Sequence, residues 1–244
     1  MKSIFILIPS FNNDSPIKGA VAHAHELSKK YIVTLVSLKS SQSTILLKQN
    51  KNLKYVNLGK YRWITKIKEY KKLITNEGST VDNISISFCF SADVVNSMCT
   101  KKAFTVSSLR ANIFENYKFS YGKSGYILAK YNFYVLKKIK TIISMTQSMS
   151  NQVYSETGIK SPVVGNFLDE GQIELYRRNT DNNGPYNFVF TGSLTNRKRV
   201  DLLIKAISQL DKKGHDVICN IIGDGNLHDE LLNKINELDI GHLI

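Results

Sequence analysis

The sequence predicts an α/β fold built on parallel sheets. Short runs rich in β-branched residues alternate with longer segments of helical period, which is the pattern of consecutive βα units. Hydrophobic residues make up 42% and charged residues 22% of the 244 positions, which is the composition of a globular protein rather than a disordered chain. The apolar pattern breaks off between residues 169 and 186 and then restarts. Together these observations predict two α/β domains in one chain.

The first part of the chain opens on residues 4–8, an unbroken apolar run that predicts a strand buried on both faces. A polar loop carrying Pro16 and Gly19 follows, and apolar residues at one-face spacing predict a helix over 20–30. Further strands are predicted at 32–38, 54–58, 84–88, 103–106 and 141–145, with a strand-like segment at 162–164. Further helices are predicted at 61–75, 92–100, 122–138 and 147–157.

Residues 169–186 are the predicted linker between the domains. The stretch is polar and contains the breaker run Asp-Asn-Asn-Gly-Pro at 181–185. The domains are therefore expected at 1–168 and 187–244. The second is expected to contain a strand at 187–190, a helix at 200–212, a strand at 217–222 and a helix at 227–238. Two βα units cannot cover both faces of a parallel sheet, so the second domain is expected to be either unusually small or incomplete.

The charge of the chain suggests a negatively charged partner. Its formal net charge is +13, and lysine supplies most of the excess, since only six residues are arginine. Lysine is suited to diffuse attraction to anions and less suited to bidentate recognition of bases. The charge alone leaves three partners open: a membrane face rich in anionic lipid, a nucleic acid, or phosphorylated substrates.

Two segments, 60–72 and 117–140, interleave lysines with aromatic residues, and the first of them holds the single tryptophan. Basic amphipathic helices of this kind are suited to the interface of an anionic membrane. A solvated lysine face over an aromatic core face is the alternative. No run of eighteen apolar residues predicts a membrane-spanning helix. The start of the chain lacks the features of a signal peptide, so a cytoplasmic protein is expected.

The cysteines and histidines give no sign of a metal site. Cys89, Cys99 and Cys219 are odd in number and widely spaced, which favours reduced cysteines over a disulfide framework or a zinc site. His23 and His25 lie two apart on a predicted helix and therefore point to different faces. Both are expected to be structural or solvated.

The most specific pattern follows the linker, over residues 190–206. A buried strand ends in a glycine turn, and the cations Arg197, Lys198 and Arg199 then open an amphipathic helix. A helix start offers unpaired N–H groups and the positive end of a dipole, and adjacent cations complete an anion site. The turn falls at the carboxyl end of a strand, where ligands bind in open α/β sheets. A basic helix start without a ligand is the alternative.

A second strand, 217–222, runs into the turn Gly223-Asp224-Gly225, and the pair of motifs is more specific than either alone. Residues 188–244 resemble the start of the donor domain of retaining GT-B glycosyltransferases of the large group 1, or family 4, type. Their pattern runs Gly-Arg-Leu, three residues, Lys-Gly, a helix with Leu-Leu-Ile-x-Ala, and later Gly-Asp-Gly. Lys198 falls on the family lysine. The other matching positions are Gly192, Leu194, Asp201, Leu203, Ala206, Gly223, Asp224 and Gly225.

The chain departs from that pattern twice: Ser193 stands where the family arginine is, and Arg199 replaces the glycine after the lysine. Arg197 is the candidate for the missing cation. The resemblance implies a GT-B fold with a Rossmann-like N-terminal domain and an incomplete second one. It also implies metal-independent transfer of a sugar, with retention, from a nucleoside-diphosphate sugar to a glycan or polyprenyl-linked acceptor in cell-surface polysaccharide biosynthesis.

The site residues also follow from the resemblance. The expected ligands of the donor diphosphate are Gly19, Gly192, Ser193, Arg197 and Lys198. The residues expected to line the nucleotide cleft are Asn166, Gly223, Asp224 and Gly225. Arg110, at the end of a predicted strand, is the candidate catalytic residue near the donor sugar, with a salt-bridged surface arginine as the alternative. No metal or other cofactor is expected.

Two other functions remain open at this point. A basic module that binds phosphate or nucleic acid explains the charge but not the paired strand-end motifs, and the sequence contains no nucleic-acid motif. A truncated, inactive transferase is the other. The family's second domain is expected to continue for about another hundred residues, within ordinary domain size. It is also expected to supply a pair of glutamates for the donor, so the chain as it stands is expected to have little activity.

Overall fold

The computed structural model describes residues 3–12, 15–40, 51–76, 83–166 and 184–244. The chain divides into two compact units, Met1–Gly171 and Gln172–Ile244. Each unit is described by itself. The predicted linker, 169–186, lies outside the described residues up to residue 183.

The first unit alternates strands and helices along the chain. Its strands are β1 (Ser3–Ile8), β2 (Ile32–Ser37), β3 (Leu53–Asn57), β4 (Ile84–Phe88), β5 (Phe104–Leu109) and β6 (Thr141–Ser144). Its helices are α1 (Ser15–Ser28), α2 (Trp63–Asn76), α3 (Phe90–Ser97), α4 (Ile113–Tyr121), α5 (Gly125–Leu136) and α6 (Gln147–Thr157). A short 3₁₀ turn, Gly122–Ser124, joins α4 to α5.

The six strands form one parallel sheet in the order β3-β2-β1-β4-β5-β6. From β1 the chain builds outward to β3 on one side, then returns to build β4, β5 and β6 on the other. The order therefore reverses between β1 and β4. Open α/β sheets bind their ligands beyond the carboxyl ends of the strands at such a switch point.

The central strand β1 shows why its sequence is apolar at every position. Alternate side chains of a strand point to opposite faces of the sheet. Ile4, Ile6 and Ile8 pack in a cluster with α1, whereas Phe5 and Leu7 pack in a second cluster with α2 and α3. Both faces are thus covered by helices, as is typical of parallel sheets.

The N-terminal end of α1 differs from its prediction. The helix begins at Ser15 rather than at Ala20, so Gly19 lies inside its second turn and not in the preceding loop. The physical reason is Pro16, whose fixed φ and missing N–H are well tolerated in the first turn of a helix. A serine followed by proline therefore indicates a helix start here rather than a loop.

Helix α4 was not predicted from the sequence. Asn112 caps its N-terminus, because the Asn112 side-chain oxygen accepts a hydrogen bond from the Glu115 amide at 3.1 Å. An Asn at the cap with Glu three residues later is a recognised start signal. The predicted strand-like segment at 162–164 proves to be an isolated parallel bridge, Ser144 to Val163.

The second unit contains two βα pairs. Strand β7 (Tyr186–Thr191) leads through a 3₁₀ turn, Asn196–Lys198, to helix α7 (Val200–Lys212), and strand β8 (Val217–Ile222) leads to helix α8 (His228–Glu237). The two strands pair in parallel. Val217 and Cys219 of β8 pack against Ile207 of α7. On the opposite face, Val189 and Ile222 are 62% and 60% exposed, so the described helices cover one side of this sheet.

Among the helices that the structure describes, none is long and apolar enough to cross a bilayer. All three cysteines lie in the described ranges and none is in a disulfide. Cys99 and Cys219 are buried, whereas Cys89 is half-buried.

Candidate functional site

The two strand-end turns of the second unit are joined backbone to backbone. The Gly192 amide donates to the Ile222 carbonyl oxygen at 3.0 Å, and the Leu194 amide donates to the Asp224 carbonyl oxygen at 2.9 Å. The Leu227 amide donates a hydrogen bond of 3.2 Å to the Leu194 carbonyl oxygen. The motifs that the sequence pairs by pattern are therefore in direct contact.

Both glycines of the Gly-Asp-Gly turn are required by this contact. A Cβ atom on Gly223 would collide with the carbonyl oxygen of Gly192, and one on Gly225 would collide with the carbonyl oxygen of Leu194. Between them, the Asp224 carboxylate accepts a hydrogen bond from the Gly225 amide at 2.7 Å. The glycines thus allow the two turns to approach closely, which holds the first turn in a defined position.

All three predicted cations are exposed, and two of them have no carboxylate partner among the described residues. Arg197 and Lys198 lie on the 3₁₀ turn, and within the part of the chain that the structure describes neither has a carboxylate partner. The Lys198 side chain passes over Gly192, with its Cε 3.9 Å from the point where a Cβ would stand. Helix α7 begins two residues later, and the amide groups of a first helical turn are directed outward at such an end. Exposed Ser193 completes the turn.

The third cation, Arg199, is paired. Its Nε and Nη2 donate to the two carboxylate oxygens of Asp201, each at 2.9 Å. These hydrogen bonds lower the pKa of Asp201. Arg199 also caps α7 with φ of 53°, the left-handed region that favours glycine. The family pattern has glycine at this place, and Arg199 adopts a backbone conformation that glycine favours.

A cavity of about 470 Å³ opens beside Gly223. It is lined mainly by apolar side chains of β8, α8 and the end of the chain, including Ile222, Leu231 and Ile235. Neither Arg197 nor Lys198 lines it. The cavity is therefore separate from the cations that the sequence predicts as an anion site.

A second cluster lies in the first unit, at the carboxyl ends of β4 and β5. Arg110 directly follows β5, and its Nη1 donates to the Asn166 side-chain oxygen at 2.7 Å. The Arg110 guanidinium lies over the ring of Phe88, the last residue of β4, with 5.3 Å between its carbon and the ring centroid. The cluster thus occupies the sheet edge where the strand order predicts a ligand.

His23 of α1 also belongs to this cluster. Its Nδ1 lies 2.8 Å from the Gly19 carbonyl oxygen, so Nδ1 carries the proton. Nε2 is then an acceptor, and it faces Arg110 Nη2 at 3.5 Å. Burial lowers the pKa of His23; the hydrogen bond to Gly19 opposes this, and the charge of Arg110 adds to the lowering. The neutral ring is therefore favoured, in the tautomer that can accept from Arg110.

The Arg110 guanidinium is held with one donor unsatisfied. Its Nε is buried and has no hydrogen-bond partner within the described ranges. Burial also lowers the pKa of Arg110. Leaving a buried donor unpaired costs about 1–3 kcal/mol, and such groups are rare in folded proteins. Arg110 is half-buried, and it has no carboxylate partner among the described residues.

Cys89 follows Phe88 at the same edge. Its φ of 71° and ψ of 157° fall in a region that is almost restricted to glycine, and it forms the N-terminal cap of α3. Strain of this kind is often found at functional sites.

The structure therefore brings the predicted residues together in two groups. Arg110 and Asn166 meet directly, and Gly19 joins them through His23. Gly192, Ser193, Arg197 and Lys198 lie on the turn that Gly223–Gly225 supports. Three residues of the first group were not predicted from the sequence: His23, Phe88 and Cys89. The position of His23 one helical turn after Gly19 would have been a usable signal, whereas only the three-dimensional structure reveals the strain at Cys89.

Residues 172–244, which are the second unit, match the sequence model of the family described as Glycosyl transferases group 1. None of the curated proteins compared with the chain matches it. Among solved structures, the chain is similar to Anabaena Alr3699/HepE in complex with UDP, with 14% identity and a TM-score of 0.72 over 100% of this chain and 68% of that one.

It is also similar to the apo form of the lipopolysaccharide outer core galactosyltransferase WaaB, with 14% identity and a TM-score of 0.68 over 100% of this chain and 66% of that one. A third similar structure is a mutant of S. aureus TarM in complex with Fondaparinux, alpha-GlcNAc-glycerol and UDP. It has 11% identity and a TM-score of 0.61, over 99% of this chain and 76% of that one. These likenesses show the GT-B fold, so the predicted fold class is confirmed. The family match of the second unit supports an enzyme of the transferase class.

Proposed function

We propose that this protein is a glycosyltransferase that moves a sugar, with retention, from a nucleoside-diphosphate sugar to a glycan or polyprenyl-linked acceptor. The observation that carries the proposal is the pair Arg197 and Lys198, exposed and without a carboxylate partner in the described chain, on a turn held in place by Gly223 and Gly225. The match of 172–244 to a glycosyltransferase family and the similarity to a structure solved with UDP support it.

In the second unit, the donor diphosphate would bind the turn formed by Gly192, Ser193, Arg197 and Lys198. Cations and helix-terminal amides stabilise the negative charge that grows on a departing diphosphate. Side chains supply the compensating positive charge, so the proposed chemistry needs no metal ion. Within the described residues no group of three His, Cys, Asp or Glu side chains is placed to hold one.

In the first unit, Arg110 is the proposed catalytic residue. Phe88, Asn166 and His23 fix its guanidinium at the carboxyl edge of the sheet. A group held in one orientation before substrate arrives costs no reorganisation during the reaction.

We extend the proposal to cell-surface polysaccharide biosynthesis, at a peripheral position on the cytoplasmic face of a membrane. The lysine-rich net charge of +13 supports attraction to an anionic surface. One of the similar structures is named as a lipopolysaccharide outer core galactosyltransferase, which supports the cell-surface role.

Thermal stabilisation by UDP and GDP tests the donor site. We expect one of them to raise the melting temperature, and we expect Lys198→Ala to remove that shift because the diphosphate loses its cation. Lys205→Ala is the matched control, since Lys205 is an exposed lysine further along α7. No shift with either nucleotide, or an equal shift in Lys198→Ala, would contradict the proposal. Tight RNA binding with a steep salt dependence would favour the nucleic-acid module instead.

A further inference from the structure

The helix pair formed by α4 and α5 exposes an unusual amount of apolar surface. The side chains that are at least 38% exposed here are Phe119, Tyr121, Tyr126, Ile127, Leu128, Tyr131 and Tyr134. Ile127 is 72% exposed, more than any other large hydrophobic residue of the described chain. Single exposed apolar residues are ordinary, but a contiguous group of them indicates a binding surface. We call these seven residues the aromatic surface.

Helix α5 is apolar on both its inner and outer sides. Ala129, Phe133 and Leu136 are buried in the core of the first unit. Ile127, Tyr131 and Tyr134 follow one another at intervals of four and three positions and are exposed. Core packing accounts for the inner stripe only. A surface helix ordinarily presents polar residues to solvent, so the outer stripe requires another explanation.

Lysines are interspersed with the residues of the aromatic surface along the chain. Residues 113–140 contain six lysines, one glutamate and no arginine. Lys130 pairs with Glu156 at 2.7 Å. The Lys138 ammonium lies over the ring of Tyr134, 4.4 Å from its centroid. The surface therefore combines exposed apolar side chains with a strongly positive charge.

We propose that the aromatic surface docks on an anionic lipid bilayer, with Ile127 and the tyrosines at the level of the headgroups and the lysines on lipid phosphates. Tyrosine suits this interface because its ring is apolar and its hydroxyl is polar. Lysine stems can lie along the apolar surface while the ammonium groups remain at its edge. Docking of this surface on a bilayer does not depend on the proposed function. Only its purpose, the delivery of the enzyme to a lipid-linked acceptor, rests on that function.

The chemistry of the surface favours lipid over nucleic acid. The aliphatic side chains Ile127 and Leu128 have no role in pairing with phosphates or bases, whereas they gain free energy by leaving water at a bilayer interface. Arginine, the residue most suited to base recognition, does not occur in 113–140.

The structure also distinguishes between the two segments that the sequence predicts as membrane-binding helices, 60–72 and 117–140. In α2, Tyr70 is fully buried against Phe5, and Ile74 is fully buried as well, so much of the apolar side of this helix belongs to the core. Trp63 and Ile64 alone of its large hydrophobic residues are more than 36% exposed. The α4–α5 pair is therefore the docking surface, and α2 provides a control.

Flotation with vesicles tests the proposal. We expect the intact protein to float with phosphatidylcholine vesicles that contain about one-third phosphatidylglycerol, and not with pure phosphatidylcholine. Ile127→Ser together with Tyr131→Ser should reduce partitioning about tenfold through lost apolar burial. Replacing Lys123, Lys137 and Lys138 by Gln should reduce it at least as much, through lost attraction to headgroups.

Matched changes on α2 control for general charge and hydrophobicity. Ile64→Ser, at a residue 70% exposed, and replacement of Lys66, Lys68 and Lys72 by Gln should leave partitioning within about twofold, because α2 does not contact the bilayer. No flotation with anionic vesicles, equal flotation with neutral vesicles, or equal losses from both sets of variants would each overturn the proposal. So would binding of RNA that the α4–α5 variants abolish while flotation persists.

The same variants distinguish this inference from the proposed function. Their stabilisation by UDP or GDP should be unchanged, because the aromatic surface contains none of the proposed donor ligands. If no nucleotide stabilises the protein while anionic vesicles still bind the α4–α5 surface, the donor site fails and the docking surface stands.

Discussion

Arg110 donates a hydrogen bond of 2.7 Å to the side chain of Asn166, 56 positions further along the chain. The bond joins the end of β5 to the segment that follows α6. On its other side, the Arg110 guanidinium faces His23 of α1. Three separate parts of the first unit therefore converge on one cation at the carboxyl edge of its sheet, which is where the strand order predicts a ligand.

The tautomer of His23 leads to a prediction about pH. Burial lowers the pKa of His23 in the folded protein, so the unfolded chain takes up a proton more readily. Stability is therefore expected to fall as the pH drops below about 6.5, the ordinary pKa of histidine. In His23→Gln, the amide oxygen can still accept from Arg110, and this part of the acid sensitivity should disappear.

The measurement is the free energy of unfolding between pH 5 and 7, followed by the fluorescence of Trp63, the single tryptophan, which lies in the first unit. Carboxylates contribute equally to both proteins, so the difference between the two curves isolates His23. Parallel curves would contradict the assignment of the neutral ring.

Asp93 should produce the opposite dependence on pH. It is fully buried beneath β4, and Ser87 Oγ donates to its carboxyl group at 2.6 Å. Burial raises the pKa of Asp93 to about 7, against a smaller lowering by the Ser87 bond. The folded state then holds its proton more tightly than the unfolded chain, and stability is lost as the pH rises from about 4 to 7.

Asp93→Asn should remove that loss, because an amide keeps the acceptor for Ser87 and never ionises. We expect the variant to be more stable than the parent above pH 7 by an amount of the order of a few kcal/mol. Denaturant unfolding at pH 5 and pH 8 measures the effect. A variant that gains nothing at the higher pH would show that folding does not raise the pKa of Asp93.

Arg199 allows the cost of its backbone conformation to be measured. Both Arg199→Gly and Arg199→Ala remove the pair with Asp201, so the two variants differ in the backbone alone. At φ of 53°, glycine should be more stable than alanine by about 1 kcal/mol. Hydrogen exchange of α7 reports the difference within the second unit, and equal protection would argue against the left-handed conformation.

Gly223 and Gly19 should respond to alanine in opposite ways. Gly223→Ala should destabilise the second unit by more than about 1 kcal/mol, because its methyl group collides with the Gly192 backbone. Gly19 lies inside α1 with nothing near its missing Cβ, so Gly19→Ala should stabilise the first unit by about 0.5–1 kcal/mol. Hydrogen exchange of β8 and Trp63 fluorescence follow the two units separately. A tolerated Gly223→Ala would show that the turns can separate.

Much of the fold could be predicted because each signal is local. The strands 84–88 and 217–222 and the helix 200–212 have the predicted bounds. In each of these segments the spacing of the apolar residues and the flanking turn residues indicate the same bounds. The errors occurred where local signals competed, as at Ser15 and Pro16, which open α1, and at Asn112, which caps a helix directly after a strand.

The sequence by itself determined the α/β class and the motif that resembles a nucleotide-sugar transferase, because hydrophobic period, glycine turns and adjacent cations are properties of neighbouring residues. Tertiary structure decided which side chains meet. The contacts of Arg110 with His23 and Asn166, and the exposure of the tyrosines on α5, depend on strand order and helix packing between distant segments. Such contacts form only when the sheet assembles, so they cannot be predicted from any single stretch of the sequence.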